Sequence, residues 1–141
     1  MTDGLPTALA DLLAARLGPE GWLTGADARR RYGEDDSRRW ALPGAVALPR
    51  DTDDVVAIVQ ACRAHGVPIV ARGAGTGTTG AAVPFSGGVV VSMARMNRIL
   101  ALRPADRCAV VQPGVLNGDL QQALQPVSYT HLTLPTNREV E

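Results

Sequence analysis

Apolar positions near the start of the chain follow a helical period and then lose it. From residue 7 to residue 17 five apolar side chains share one face of a predicted helix, which Gly18 and Pro19 end. These side chains are Ala8, Leu9, Leu12, Leu13 and Leu17. Residues 24–44 are charged and aperiodic, so an irregular lead-in to the next element is predicted there.

A strand–helix–strand pattern follows, in which the strands are continuously apolar. Residues 45–48 predict a strand, and Asp51 or Thr52 can cap the helix that follows it. The helix is expected to bury Val55, Val56, Ile58, Val59 and Cys62. Two more strands are predicted at residues 69–71 and 89–91. Continuously apolar strands around a helix are typical of a small parallel sheet that is buried on both faces.

The pattern changes after residue 97. Residues 98–103 and 107–112 predict two strands joined by a tight Pro-Ala-Asp turn, which makes an antiparallel hairpin. Residues 115–124 predict a helix with leucines at every fourth position. The predicted fold class is therefore α+β, with a small parallel βαβ unit followed by the start of an antiparallel one.

The segment with the clearest chemical signal is a glycine-rich loop that follows the second predicted strand. It consists of Arg72, Gly73, Ala74, Gly75, Thr76, Gly77, Thr78, Thr79 and Gly80. Glycine allows positive φ and removes the Cβ atoms that would keep a ligand away from the backbone. Such a loop can direct several N–H groups into one concavity, which suits a phosphate or diphosphate. A glycine-rich surface turn that binds nothing is the structural alternative.

Two better-known glycine motifs do not fit this loop. Residues 75–80 match the spacing G-x-G-x-x-G, but a dinucleotide-binding turn must open a helix and needs an acidic residue about 20 positions later. Pro84 and the Gly87–Gly88 pair leave no room for that helix, and no Asp or Glu occurs from 81 to 105. A P-loop is excluded because alanines stand where Lys and Ser or Thr are required.

Charge and cysteine content narrow the class of protein further. The chain has 14 basic and 14 acidic residues, so no general attraction to nucleic acid is expected. Around the loop, residues 55–105 carry five arginines and no acid, which makes a cationic setting for a diphosphate.

Cys62 and Cys108 have no metal-ligand spacing and are predicted to be buried free thiols, as in a reducing cytoplasm. No secretory signal or transmembrane segment is apparent, so a cytoplasmic protein is expected.

Four segments together resemble the N-terminal FAD-binding domain (PCMH-type) of the vanillyl-alcohol oxidase superfamily, particularly the glycolate oxidase flavoprotein subunit and the D-lactate dehydrogenases. They are residues 46–50, 67–84, 88–99 and 109–115, in the family's order and spacing. The resemblance implies that the glycine loop binds the flavin diphosphate through backbone N–H groups. It also implies a second backbone approach by Pro113, Gly114 and Val115. Some members attach flavin through a loop histidine; this loop has none, so noncovalent FAD is predicted.

The chemistry that the resemblance implies is oxidation of a small 2-hydroxy acid, with hydride transfer to the flavin. The catalytic groups would belong to a C-terminal substrate domain, so no catalytic residue and no metal ligand is assigned to this chain. Partner redox subunits, which would place the protein at the periphery of the inner membrane, are also implied. The alternative hypotheses are a nucleotide-binding or interaction module without redox activity, and a nonfunctional fragment.

The C-terminal segment departs from the family pattern. The predicted organisation is a lead-in at 1–44, a partial FAD-binding domain at 45–125, and a non-native tail at 126–141. Residues 127–136 are rich in Thr and resemble a sequencing-library transposon end fused to the reading frame; the alternative is a genuine but divergent C-terminus. His131 is accordingly expected to have no function, and His65, near a helix end, is expected to be solvated or to cap that end.

Overall fold

The computed structural model describes residues 4–85 and 87–127, which form four helices and six strands. The helices are α1 (Thr7–Leu17), α2 (Ala26–Arg31), α3 (Thr52–Ala64) and α4 (Asn117–Leu124). The strands are β1 (Trp22–Leu23), β2 (Ala45–Ala47), β3 (Ile69–Arg72), β4 (Val89–Ser92), β5 (Ile99–Arg103) and β6 (Cys108–Val111). Short 3-10 turns occupy Met93–Arg95, Pro104–Asp106 and Gln125–Val127.

The strands form two sheets, as the change in pattern after residue 97 predicts. The larger sheet has the order β1-β2-β4-β3, in which β2, β4 and β3 are parallel and β1 is antiparallel to β2. The strands β5 and β6 pair antiparallel, with a register shift between Ile99 and Ala101. The α+β fold class, with a parallel unit followed by an antiparallel one, is confirmed.

The core lies between the larger sheet and the two longer helices. Leu9 and Leu13 of α1 and Ile58 of α3 are fully buried there, against Val89 and Val91 of β4. Val46 and Val90 point to the opposite face of the sheet, where Leu23 and Tyr32 pack on them. Because both faces are covered, β2 and β4 are buried along their whole length, as the continuously apolar pattern predicts.

Helix α3 begins at the residue expected from its capping signal. The carboxylate of Asp51 accepts a hydrogen bond from the backbone N–H of Asp54 at 2.8 Å, which satisfies one free donor of the first turn. His65 follows the last helical residue and is exposed.

Three predictions of local structure were wrong. Residues 24–44 are not wholly irregular, because α2 forms there and covers the second face of the sheet. Val56 and Val59 of α3 are exposed although the helix was expected to bury them, because α3 contacts the sheet along a narrow stripe. Cys108 is exposed because it begins β6 of a two-stranded hairpin whose strand has alternating burial.

The predicted non-native tail lies outside the described residues from residue 128 onward, and so does His131. In the described part of the chain the longest helix has 13 residues, and no helix is both long and apolar enough to cross a bilayer.

Candidate functional site

The glycine loop lies at the carboxyl end of the parallel strands. It leaves β3 at Arg72 and belongs to the connection 73–88 that leads into β4. Ligands of open α/β sheets bind outside the carboxyl ends of the strands, so this is the expected place for a site. An open cavity of about 330 Å³ lies there. It is lined by Leu23, Arg31, Tyr32, Arg72, Gly73, Ala74, Ser92 and Ala94.

The backbone of the loop has the properties that anion binding requires. Within the described residues, the N–H groups of residues 74–79 donate no hydrogen bond to another protein group. Gly75 has a φ of +82°, a value that L residues with side chains rarely adopt. A Cβ atom at Gly75 would also collide with the guanidinium of Arg72. Only glycine therefore allows this close packing of the loop on Arg72.

Arg72 is half-buried beneath the loop and is held on two sides. Its Nη1 donates a hydrogen bond to the carbonyl oxygen of Glu34. Its guanidinium carbon lies 5.6 Å from the centroid of the Tyr32 ring, within the range of a cation–π contact. Of the five arginines between residues 55 and 105, Arg72 alone is among the cavity-lining residues, and Arg31 of α2 is the second cation there.

Asp35 is a buried carboxylate next to the loop, with 7% of its surface exposed. One oxygen accepts the N–H of Ser37 at 3.0 Å, and the other accepts the N–H of Ala82 at 3.3 Å. The hydrogen bonds from Ser37 lower the pKa of Asp35 below its usual value, and the Ala82 N–H and the charge of Arg72 act in the same direction against the effect of burial. Asp35 therefore stays ionised at neutral pH and bonded to the connection that follows the loop.

The second predicted segment, Pro113, Gly114 and Val115, follows β6 and packs on the turn after β4. The N–H of Gly114 donates to the carbonyl oxygen of Met96 at 2.8 Å, and the N–H of Val115 donates to Gln112 at 3.1 Å. A Cβ atom at Gly114 would collide with the carbonyl oxygen of Met93. The close backbone approach made by Gly114 is thus to another part of the chain, next to the cavity-lining residue Ala94.

The structure brings together part of the predicted site and adds residues that the sequence analysis missed. Arg72, Gly73 and Ala74 line the cavity, whereas Thr76, Gly77, Thr78 and Thr79 are exposed along the loop. The missed residues are Arg31, Tyr32 and Asp35, all in the supposedly irregular lead-in. The sequence signal for Asp35 is the Asp-x-Ser spacing to Ser37, which is typical of an Asx turn.

Among residues 4–85 and 87–127, no three His, Cys, Asp or Glu side chains are grouped so that they could hold a metal ion.

Sequence comparison identifies the family of this domain. Residues 43–137 match the family described as FAD binding domain. D-2-hydroxyglutarate dehydrogenase of Stutzerimonas stutzeri (strain A1501) is 43% identical over 123 residues, which cover 86% of this chain and 26% of that protein. Glycolate oxidase subunit GlcD of Escherichia coli (strain K12) is 42% identical over 96 residues, 68% of this chain and 19% of that protein. The chain thus spans about a quarter or less of the length of these relatives.

Solved structures share the architecture. p-Cresol methylhydroxylase superposes with a TM-score of 0.74 at 26% identity, over 89% of this chain and 26% of that one. Alkyldihydroxyacetonephosphate synthase superposes with a TM-score of 0.78 at 22% identity, over 87% of this chain and 25% of that one, which supports the fold alone. The chain therefore belongs to the FAD-binding domain family and has the PCMH-type fold of the vanillyl-alcohol oxidase superfamily.

Proposed function

We propose that this chain is the cofactor-binding part of an FAD-dependent oxidoreductase, and that the glycine loop binds the FAD diphosphate. The observation that carries the proposal is the run of N–H groups at residues 74–79, which have no acceptor among the described residues and lie at the carboxyl end of the parallel strands. Arg31 and Arg72 add positive charge at the cavity. These donors and cations are what a diphosphate requires.

The residues of the loop also support noncovalent binding. Residues 72–80 contain no histidine, cysteine or tyrosine to which a flavin could be attached. A bound flavin would supply the hydride acceptor, while the protein supplies binding and orientation. The described part of this chain contributes the diphosphate site.

The substrate we propose is a small 2-hydroxy acid. The support comes from the names of the relatives, which include D-2-hydroxyglutarate dehydrogenase, glycolate oxidase subunit GlcD and a probable D-lactate dehydrogenase of Danio rerio. The groups that orient this acid and accept its proton would lie outside the chain. Because GlcD is named as a subunit, we include partner redox subunits in the proposal. A cytoplasmic location is proposed from the two free thiols.

FAD titration of the 141-residue chain tests the cofactor assignment. We expect bound flavin to be released by acid precipitation, and we expect FAD and ADP to bind while riboflavin, which lacks the diphosphate, does not. Gly75→Val should abolish binding because its side chain would meet Arg72 at a positive φ. Gly118→Ala is the matched control, since a Cβ atom there meets nothing within 4 Å. Equal FAD affinity in the Gly75→Val variant would exclude the loop as the diphosphate site.

The substrate class is tested in the flavin-loaded protein that carries this domain. Anaerobic addition of glycolate, D-lactate or D-2-hydroxyglutarate should bleach the flavin absorbance at about 450 nm, which is a property of the cofactor. If none of the three acids bleaches it, the proposed substrate class is wrong. If ADP binds and FAD does not, the site belongs to a nucleotide-binding module without redox activity, which is the alternative hypothesis.

A further inference from the structure

The segment between α2 and β2 forms a closed turn beside the glycine loop. Glu34 and Trp40 form an antiparallel bridge, and the N–H of Ala41 donates to the carbonyl oxygen of Gly33 at 2.9 Å. Within the turn, the N–H of Arg39 donates to Oγ of Ser37 at 3.2 Å. These bonds hold the turn in shape, and none of them involves an atom of the glycine loop. We call residues 32–39 the latch segment.

The latch segment contacts the beginning of the glycine loop through Arg72. The guanidinium donates to the backbone of Glu34 and lies over the ring of Tyr32 at 5.6 Å. Gly75 packs against the same guanidinium. Arg72 is therefore a spacer between the latch segment and the first turn of the loop.

The latch segment contacts the end of the loop through a different set of atoms. Oδ2 of Asp35 accepts the N–H of Ala82 at 3.3 Å. A Cβ atom at Gly80 would lie 3.1 Å from Cδ of Arg39 and 3.5 Å from Oγ of Ser37, so the backbone of Gly80 rests on this turn. Both ends of the loop are thus fixed to one segment, while the N–H groups of residues 74–79 between them donate to no group in the described part of the chain.

The position of Asp35 indicates that the contact serves to hold the loop and not to bind the ligand. Its Oδ2 lies 3.9 Å from the place a Cβ atom of Gly77 would occupy, so a negative charge stands close to the proposed diphosphate site. A carboxylate there repels a phosphate. Both of its oxygens accept backbone N–H groups, one from the latch segment and one from the connection after the loop.

We infer that the latch segment positions the glycine loop for the FAD diphosphate, with Asp35 and Arg72 as its two positioning residues. The inference rests on the proposed function of the loop and extends the cofactor site to residues that precede the family match, which begins at residue 43. An unanchored glycine-rich loop would lose conformational freedom when it binds a diphosphate. The latch segment imposes that order before binding.

The test compares four variants of the 141-residue chain with the wild type. Asp35→Ala removes the acceptor for Ala82, and Asp36→Ala is its control because Asp36 is exposed next to it. Arg72→Lys keeps the charge but loses the planar contact with Tyr32, and Arg63→Lys, on exposed α3 surface, is its control. The two measurements are amide hydrogen exchange without ligand and the Kd for FAD.

We expect Asp35→Ala to speed exchange at Ala82 at least tenfold and to leave the amides of α1 and α3 unchanged. The Kd for FAD should rise at least tenfold in Asp35→Ala and in Arg72→Lys and stay within twofold in both controls. A residue that only stabilised the fold would speed exchange in the helices as much as at Ala82, and that result would overturn the inference. Unchanged exchange at Ala82, or a Kd equal to that of the control, would overturn it as well.

One further variant and the result for the wild type keep the outcomes separable. Asp35→Asn retains one acceptor oxygen and should restore part of the protection at Ala82, which covers the case in which Asp35→Ala fails to fold. If the wild-type chain binds neither FAD nor ADP, the proposed function has failed. In that case the inference that the latch segment positions the loop for a diphosphate is overturned as well. The exchange data then show only whether the latch segment orders the loop.

Discussion

Gly114 and Gly118 differ in what a methyl group at each position would meet. A Cβ atom at Gly114 collides with the carbonyl oxygen of Met93 and comes within 2.9 Å of that of Met96, whereas Gly118 has open space around it. We predict that Gly114→Ala lowers the free energy of unfolding by about 1–3 kcal/mol through overpacking. Gly118→Ala, inside α4, should leave it unchanged or raise it by up to about 1 kcal/mol. Urea unfolding of both variants measures the difference, and equal midpoints would contradict the packing of Gly114.

Asp54 is a buried carboxylate that connects α1, α3 and the turn before α3. It is 2% exposed and accepts hydrogen bonds from Nε of Arg16 and Nε of Arg50, both at 3.0 Å. Asp54→Asn replaces one buried acceptor oxygen by an NH2 group that faces an arginine donor, so we predict a loss of about 1–3 kcal/mol in the free energy of unfolding. Asp53→Asn is the control, because Asp53 is exposed in the same helical turn and should cost under about 1 kcal/mol.

Asp54 also makes the free energy of unfolding depend on pH under acidic conditions. Burial alone would raise the pKa of Asp54, but the hydrogen bonds from Arg50 and Arg16 outweigh burial and hold the pKa below its usual value. The stabilisation is therefore complete above the unfolded-state pKa of about 4 and is lost as the pH falls through the lower folded-state pKa. Unfolding midpoints measured from pH 7 to pH 3 should drop less steeply in Asp54→Asn than in the wild type. A parallel drop in both proteins would show that Asp54 is not the group responsible.

At the scale of single residues, the sequence predicted what depends on neighbours along the chain. The Asp51 cap could be predicted because an N-cap bonds to an N–H three positions later. The role of Asp35 could not, because its second partner is Ala82, 47 residues away. The exposure of Cys108 was missed for a similar reason, since an apolar segment does not show which of its faces another element covers.

Helix α3 has one buried stripe, and neighbouring residues on it should respond differently to truncation. Ile58 is fully buried between α3 and the sheet, while Val59 is 41% exposed. We predict that Ile58→Ala costs about 2–5 kcal/mol and that Val59→Ala costs under about 0.5 kcal/mol. Thermal or urea unfolding of the two variants provides the measurement. If Val59→Ala were as costly as Ile58→Ala, the wider buried face expected from the sequence would be correct.

At the scale of elements, strong periodicity gave reliable boundaries and weak periodicity did not. Helix α1 was predicted with the bounds that the structure shows, and β3 and β4 each extend one residue beyond the predicted strand. Helix α2 was missed because its six residues contain three arginines and no apolar stripe. It forms because this part of the chain packs on the second face of the sheet, and such tertiary packing can override a weak local helix propensity.

At the scale of the whole molecule, the two cysteine thiols should react with a reagent at very different rates. Cys62 is 1% exposed, and burial raises its pKa to about 11, so its reactive thiolate is scarce in the folded chain. Cys108 is exposed. We predict that a disulfide reagent at pH 8 modifies one thiol quickly and the second only at the rate of unfolding. The Cys108→Ser variant should lose the fast phase, and Cys62→Ser should lose the slow one. Two fast phases would mean that the core around Cys62 opens readily.

The fold of the whole chain was predictable from sequence to a greater extent than its site. Alternating elements and the glycine loop pointed to a parallel unit with a diphosphate site, and four spaced segments pointed to the family. The cavity itself is built from α2, β1, β3 and the turn after β4, so its lining depends on how separate elements meet. No pattern within one element contains that information.

The order of strands in the larger sheet also has a consequence for how the chain assembles. β4 lies between β2 and β3, although it is the last of the three along the chain. During synthesis β2 and β3 therefore have no parallel partner until residues 89–92 have left the ribosome. The connection 73–88 must therefore allow β4 to insert between β2 and β3, which precede it in the chain. A loop rich in glycine, whose residues 74–79 make no backbone hydrogen bond with any residue that the structure describes, lets the central strand enter last.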